Sequence, residues 1–158
     1  MKLILLATAL LISLLSNAQS ATPPKGSVAV LIHTDDSAEV AYKKAVQGLL
    51  AQGFGIDKSD KDALFMSAPA KALKEGTSVK IQLVTVADQT GSTTTFRATY
   101  TWTTYLSGAL GAGMRGPIES REQPVQYTGP GKNPIKRAWQ ALEQAATQAL
   151  PAGTVSFN

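Results

Sequence analysis

The chain contains no cysteine and a single histidine among its 158 residues. The absence of cysteine excludes disulfide bonds and removes the thiol to which a lipid anchor could be attached. It also disfavours a zinc site, because carboxylates would have to supply most of the ligands that zinc usually takes from Cys and His. The Lys and Arg residues are spread along the chain, without the cluster that is typical of a nucleic-acid surface. We therefore predict no nucleic-acid partner.

Long hydrophobic runs are also scarce, and the only one lies at the start of the chain. Residues 3–15 are almost all apolar, follow Met1-Lys2 and precede small residues, which is the pattern of a secretory signal peptide. The run is shorter than the roughly 20 residues of a spanning helix. We expect residues 1–18 to be removed after Ala18, or after Ala21 as an alternative, and the protein to be secreted or periplasmic with no transmembrane segment. Loss of Lys2 lowers the net charge from +4 to +3.

The remaining chain of about 140 residues suits one domain with a core of its own. We predict an N-terminal arm at residues 19–26 and a single domain at residues 27–151. A C-terminal tail is expected at residues 152–158.

The first structural unit is a strand followed by a helix. Residues 27–33 (SVAVLIH) form a continuous β-branched and aliphatic run, which predicts a strand buried on both faces. Asp36 and Glu39 have the spacing of a capping box at the start of the helix. Gly53 stands where a left-handed residue would end the helix. Apolar residues at helical spacing predict one buried face, formed by Ala38, Ala41, Tyr42, Ala45, Leu49 and Leu50.

Two hairpins are predicted next. Residues 54–57 and 63–67 form a short one across a polar turn. Residues 77–87 and 93–105 form a long one, in which apolar and polar side chains alternate. Its apolar face comprises Val79, Ile81, Leu83, Phe96, Ala98, Tyr100 and Trp102. An antiparallel sheet with one face in water has this pattern.

Residues 107–132 are rich in glycine and proline and predict a long loop, which in a compact domain is usually functional or mobile. Asn133 and Pro134 then have the residue types of an N-cap and a first helical position. The order is β-α-β-β-β-β-α. The predicted fold class is α+β, a two-layer sandwich in which two helices cover one face of an antiparallel sheet of about five strands.

This order resembles a recurrent periplasmic module. A strand, a helix that ends in Leu-x-x-Gly-Phe-x-Ile (residues 50–56), Asp60 before a short strand, a long hairpin and a C-terminal helix are similar to the domains of the outer-membrane assembly lipoprotein BamC. The resemblance extends more loosely to TATA-binding-protein-like helix-grip folds. It covers residues 28–150 by topology, and it implies a scaffold or binding domain without catalytic residues. The missing lipidated cysteine and the glycine-rich loop depart from BamC.

Three motifs contain residue types that can serve in catalytic, cofactor or metal sites. Residues 111–116 match G-x-G-x-x-G, but no helix follows them as a dinucleotide site requires. His33 lacks a nucleophile motif beside it, so we interpret it as structural. Asp57, Asp60 and Asp62 share one turn but lack the glycine and distal Glu of a calcium loop. We predict no catalytic residue, no cofactor and no metal, and hence no enzyme.

The hypothesis that remains is an exported binding or scaffold domain of a bacterial-type cell envelope, with another envelope protein or a second copy as partner. The alternative is a small-molecule or glycan binder, or a weak hydrolase, with a cleft between the sheet and the loop at 107–132. The candidate interaction surface combines the polar sheet face with the long loop. It comprises Val84, Val86, Thr95, Arg97, Thr99, Thr101, Arg115, Arg121 and Tyr127.

Overall fold

The computed structural model describes residues 22–105, 117–119, 121–131 and 133–158, which form nine strands and two helices. The α+β class with an antiparallel sheet and two helices is confirmed, and the additional strands are all short. In chain order the elements are β1 (Val30–Thr34), α1 (Ala38–Ala51), β2 (Lys58–Asp60), β3 (Phe65–Ser67), β4 (Lys71–Ala72), β5 (Thr77–Asp88), β6 (Gly91–Tyr105), β7 (Pro117–Glu119), β8 (Gln123–Pro124), α2 (Pro134–Ala149) and β9 (Thr154–Phe157).

The long β5–β6 hairpin is the centre of the sheet. The strand order is β2-β3-β5-β6-β1-β9, and every neighbouring pair is antiparallel. The short strand β4 also pairs with β5, while β7 and β8 pair with β6. The hairpin therefore pairs directly with five of the seven other strands that the structure describes, and its register determines which residues share a face.

The two helices cover one face of this sheet and form the core with it. Alternation along each strand sends every second side chain to the helices. The buried sheet residues are Val30, Ile32, Met66, Val79, Ile81, Leu83, Phe96, Ala98 and Tyr100. The buried helix residues are Ala41, Tyr42, Ala45, Leu49, Ala138, Trp139, Leu142, Ala145, Ala146 and Ala149. Leu50, which we expected on the buried face of α1, is 45% exposed.

The helices approach each other closely near the C-terminal end of each. A Cβ atom added to Gly48 would lie 2.5 Å from Cα of Ala149, so only glycine fits at this crossing. The Gln52 side chain donates hydrogen bonds to the carbonyl oxygens of Gly48 and Ala145, both at 3.1 Å. This side chain therefore ties α1 to α2.

Two of the three helix ends for which the sequence predicted a cap have that cap in the structure, and one does not. Gly53 has φ 78° after α1, and Asn133 accepts a hydrogen bond from the backbone N–H of Lys136 at 2.7 Å. The capping box predicted for α1 is wrong. Ser37 occupies the N-cap, and the Asp36 carboxylate instead accepts from Lys44 Nζ at 2.7 Å.

Three segments differ from the sequence prediction. The first strand of the short hairpin is β2, residues 58–60, and not residues 54–57. Residues 152–158, predicted to be a tail, contain β9, which pairs with β1 along four residues. The part of the predicted loop that the structure describes contains β7 and β8. Short strands such as these are fixed by pairing with a neighbouring strand, and two to four residues carry too little periodicity to be recognised.

Two further predictions fall outside the described residues. They are the signal peptide at 1–18 and the glycine motif at 111–116. Within the described part of the chain, neither helix has the length and hydropathy needed to cross a membrane.

Candidate functional site

The candidate site is the face of the sheet that points away from the helices, here called the outer face. Alternation places the even-numbered residues of β5 from 78 to 86 and the odd-numbered residues of β6 from 93 to 103 on it. Six of the residues predicted for an interaction surface lie here: Val84, Val86, Thr95, Arg97, Thr99 and Thr101. No described helix covers this face.

An apolar row crosses the outer face near the turn of the long hairpin. Phe65 on β3 lies opposite Val84, which lies opposite Thr95, which in turn lies opposite Leu31 on β1. Val84 is 39% exposed, and its neighbour Val86 is 60% exposed. Four adjacent strands therefore present apolar or methyl-bearing side chains to solvent side by side.

The part of the outer face beyond this row carries charges of both signs. Lys80 Nζ lies 3.5 Å from the Asp57 carboxylate. The hydroxyl of Thr99 donates to the Glu122 carboxylate, which is thereby held against the sheet. Arg97 is exposed between the apolar row and these pairs, with no ion-pair partner within the described ranges. The outer face thus has an apolar half and a charged half.

A cluster of polar side chains joins β1 to the hairpin turn at the end of the outer face. His33 Nδ1 lies 3.0 Å from Oδ2 of Asp88, and the Thr93 hydroxyl donates to the same oxygen at 2.9 Å. The backbone N–H of Thr90 donates to Oδ1 at 3.0 Å. These donors lower the pKa of Asp88, the Thr90 N–H most and then the Thr93 hydroxyl and His33.

The cluster places a carboxylate, an imidazole and a hydroxyl group in contact in the order that a hydrolytic triad has. Besides the Asp88 contact, His33 Nε2 lies 3.4 Å from the Thr90 hydroxyl. However, that hydroxyl also donates to Asp88 Oδ1 at 3.3 Å, so its proton is directed to the carboxylate and not to the imidazole. The cluster sits on an exposed hairpin turn, with His33 and Asp88 each 35% exposed. Its geometry is that of a clamp between two strands, in agreement with a structural role for His33.

The remaining predicted surface residues lie elsewhere. Arg121 is exposed in the segment that precedes β8. Tyr127 is half-buried, and its ring centre lies 5.5 Å from that of Trp139 on α2, so it belongs to the helix side of the sheet. Arg115 lies outside the described residues. The structure therefore brings together the sheet part of the predicted surface and separates Tyr127 from it.

The sequence did not indicate Leu31, Phe65 or Glu122 as members of this surface. The continuous apolar run around Leu31 has no alternation from which to assign a face. Phe65 is placed by the register of a three-residue strand, and Glu122 by the path of the chain before β8. Each position depends on pairing between distant segments, which local patterns do not specify.

The acidic segment at residues 57–62, predicted to be one turn, comprises β2 and the start of the turn that follows it. Oδ1 of Asp60 accepts from the backbone N–H groups of Asp62 and Ala63, at 2.9 and 3.0 Å. This is the usual role of Asp in a turn. Throughout the described ranges, no group of three or more His, Asp or Glu side chains is arranged to hold a metal ion.

One groove lies on the helix side, between the end of α1, β4 and α2, with a volume of about 360 Å³. Lys71 Nζ lies 4.4 Å from the centre of the Phe54 ring at its edge and donates to the carbonyl oxygen of Gln52. The ammonium group therefore satisfies the carbonyl of the residue that caps the C-terminus of α1. Gln144 and Gln148 line the opposite wall.

No protein-family model and no curated protein matches this sequence.

Proposed function

We propose that this chain is an exported, non-enzymatic interaction domain of the cell envelope, which binds a protein partner through the outer face of its sheet. The observation that carries the proposal is the apolar row formed by Leu31, Val84 and Phe65 with Thr95, on a sheet face that no described helix covers. Contiguous apolar surface with a polar border is typical of protein interaction sites.

The chemistry of the outer face supports a protein partner. Threonine methyl and hydroxyl groups, two exposed valines and one arginine offer both apolar area and hydrogen bonds, as protein interfaces do. Charges of both signs are present, whereas a nucleic-acid surface would be predominantly basic. The long hairpin beneath holds these side chains on a rigid support.

The non-enzymatic part of the proposal rests on His33. It is the one histidine of the chain, and its ring nitrogens lie beside Asp88 and two threonine hydroxyls at an exposed turn. The export part rests on residues 1–18 of the sequence. The similarity in element order to BamC-like modules remains a prediction and agrees with a binding role.

Site-specific photo-crosslinking in cells that produce the protein tests the proposal. A crosslinking amino acid is placed at Gln82 or Val86 on the outer face, and at Gln47 or Gln140 on the exposed sides of α1 and α2 as controls. We expect protein adducts from the first two positions only. Adducts of equal yield from the helix positions, or none from the outer face, would overturn the proposal.

A further inference from the structure

We infer that the partner of the outer face is a second copy of this chain, packed sheet against sheet about a two-fold axis. The inference rests on the proposed function and names the occupant of the same surface. Three properties of the outer face support it: its charge balance, its size and the position of its apolar row.

The outer face carries charges of both signs in nearly equal number and so suits a copy of the same face. Lys58, Lys80 and Arg97 lie there with Asp57, Asp60 and Glu122, and Asp88 adds a fourth carboxylate beside His33 at the hairpin turn. The chain as a whole carries a formal charge of +4. A strongly acidic partner would select a basic face, while a balanced face can pair opposite charges with its own copy.

The size of the outer face suits a stable dimer. The β5–β6 hairpin is paired over the 12 residues of β5, or about 40 Å at the usual rise per residue. The order β3-β5-β6-β1-β9 adds about 20 Å across the strands. Because β3, β1 and β9 run along only three to five residues of the hairpin, the area is about 600 Å², at the lower limit of what each partner buries in an interface of standard size.

The apolar row lies where a two-fold axis can superimpose it on itself. An axis parallel to the strands and between β5 and β6 exchanges the two sides of the outer face. Phe65 then faces Leu31 of the second copy, and Val84 faces Thr95. Glu122, held on Thr99, comes beside the second copy's Lys80, because Thr99 and Lys80 are partners in the hairpin. Aligned packing of two twisted sheets is a common interface geometry.

The first test measures the mass of the purified protein in solution by light scattering and sedimentation, from micromolar to submillimolar concentration. We expect a monomer–dimer equilibrium. Val84→Lys together with Val86→Lys should raise the dimer dissociation constant at least about tenfold, because like charges would be buried where the two apolar rows meet. Leu50→Lys is the matched control, since Leu50 is 45% exposed on α1, and it should leave the constant unchanged. Circular dichroism verifies that each variant is folded.

The absence of cysteine permits a second test that locates the interface. Two stacked sheets lie about 10 Å apart, which is too far for a disulfide but within reach of a short bis-maleimide. The Val86→Cys variant should be crosslinked to a covalent dimer, and the Gln47→Cys variant should not.

A protein that stays monomeric, or a dimer unaffected by the paired lysines, would overturn the inference. If outer-face positions then still give adducts of a different mass in cells, the proposed function stands with another partner. If these positions give no adduct at all, both fail.

Discussion

His33 and Asp88 are 55 residues apart in the chain, and their side chains meet at 3.0 Å between Nδ1 and Oδ2. The contact joins β1 to the end of β5 across β6, next to the turn of the long hairpin. Gly91 in that turn lies against the backbone of Thr34, in a space that would not admit a Cβ atom. The turn, the clamp and the close backbone approach together fix the end of the outer face where the apolar row lies.

The Asp88 carboxylate should contribute stability that is lost in acid. Its pKa in the folded chain lies below the ordinary value of 3.8, because the Thr90 N–H, the Thr93 hydroxyl and His33 favour the charged form. The contribution is therefore complete above the unfolded-state pKa and disappears as the pH falls through the folded-state pKa. We expect Asp88→Asn to be less stable than the wild type at neutral pH, and the difference to shrink in that acidic range.

Urea midpoints from neutral to strongly acidic pH measure this effect. Asp35→Asn removes the same charge from an exposed position outside the cluster and controls for net charge. A difference between Asp88→Asn and the wild type that stays constant across the acidic range would contradict the assignment.

Substitution at Gly48 should disrupt the contact between the two helices. A Cβ atom there would lie 2.5 Å from Cα of Ala149, and a backbone atom cannot yield without moving α2. We expect Gly48→Val to lower the free energy of unfolding by about 1–3 kcal/mol, the usual cost of overpacking. Gln47→Val, one residue earlier and exposed, is the control for the loss of helix propensity. Chemical denaturation measures both, and equal losses would show that the crossing is not tight.

The long hairpin could be predicted because the pattern that specifies it lies within each strand. Strict alternation from Val79 to Leu83 and from Phe96 to Tyr100 specifies strand, face and burial together, and the structure buries all of these apolar residues. The end of α1 at Gly53 and the Asn133 cap were predictable for the same reason, since each depends on one residue type at one position.

The apolar row of the candidate site was not predictable in this way. Leu31 reaches the outer face because Val30, beside it, pairs with Phe96 and is buried. Phe65 reaches it because Met66 pairs with Leu83. A shift of one residue in either pairing would send these side chains to the core. Half of the row is therefore a property of register and not of local sequence.

The C-terminal strand should be essential, although the sequence suggested a tail. β9 pairs with β1, and the Phe157 ring centre lies 6.1 Å from that of Trp139, so the strand closes one edge of the core. Phe157 is half-buried, and we expect Phe157→Ala to cost about 2 kcal/mol, below the usual range for a fully buried ring. Truncation after Pro151 should cost more, because the strand pairing is lost as well.

Thermal and urea unfolding at one protein concentration measure these losses. Ser156→Ala is the matched control within β9, since Ser156 is exposed and its replacement should change the free energy of unfolding by less than about 0.5 kcal/mol. If the truncated chain unfolds at the wild-type midpoint, β9 adds nothing to the domain and the edge of the sheet is β1. If the truncation destabilises the domain and Phe157→Ala does not, β9 stabilises the domain through its hydrogen bonds to β1. The contact between Phe157 and Trp139 would then contribute nothing.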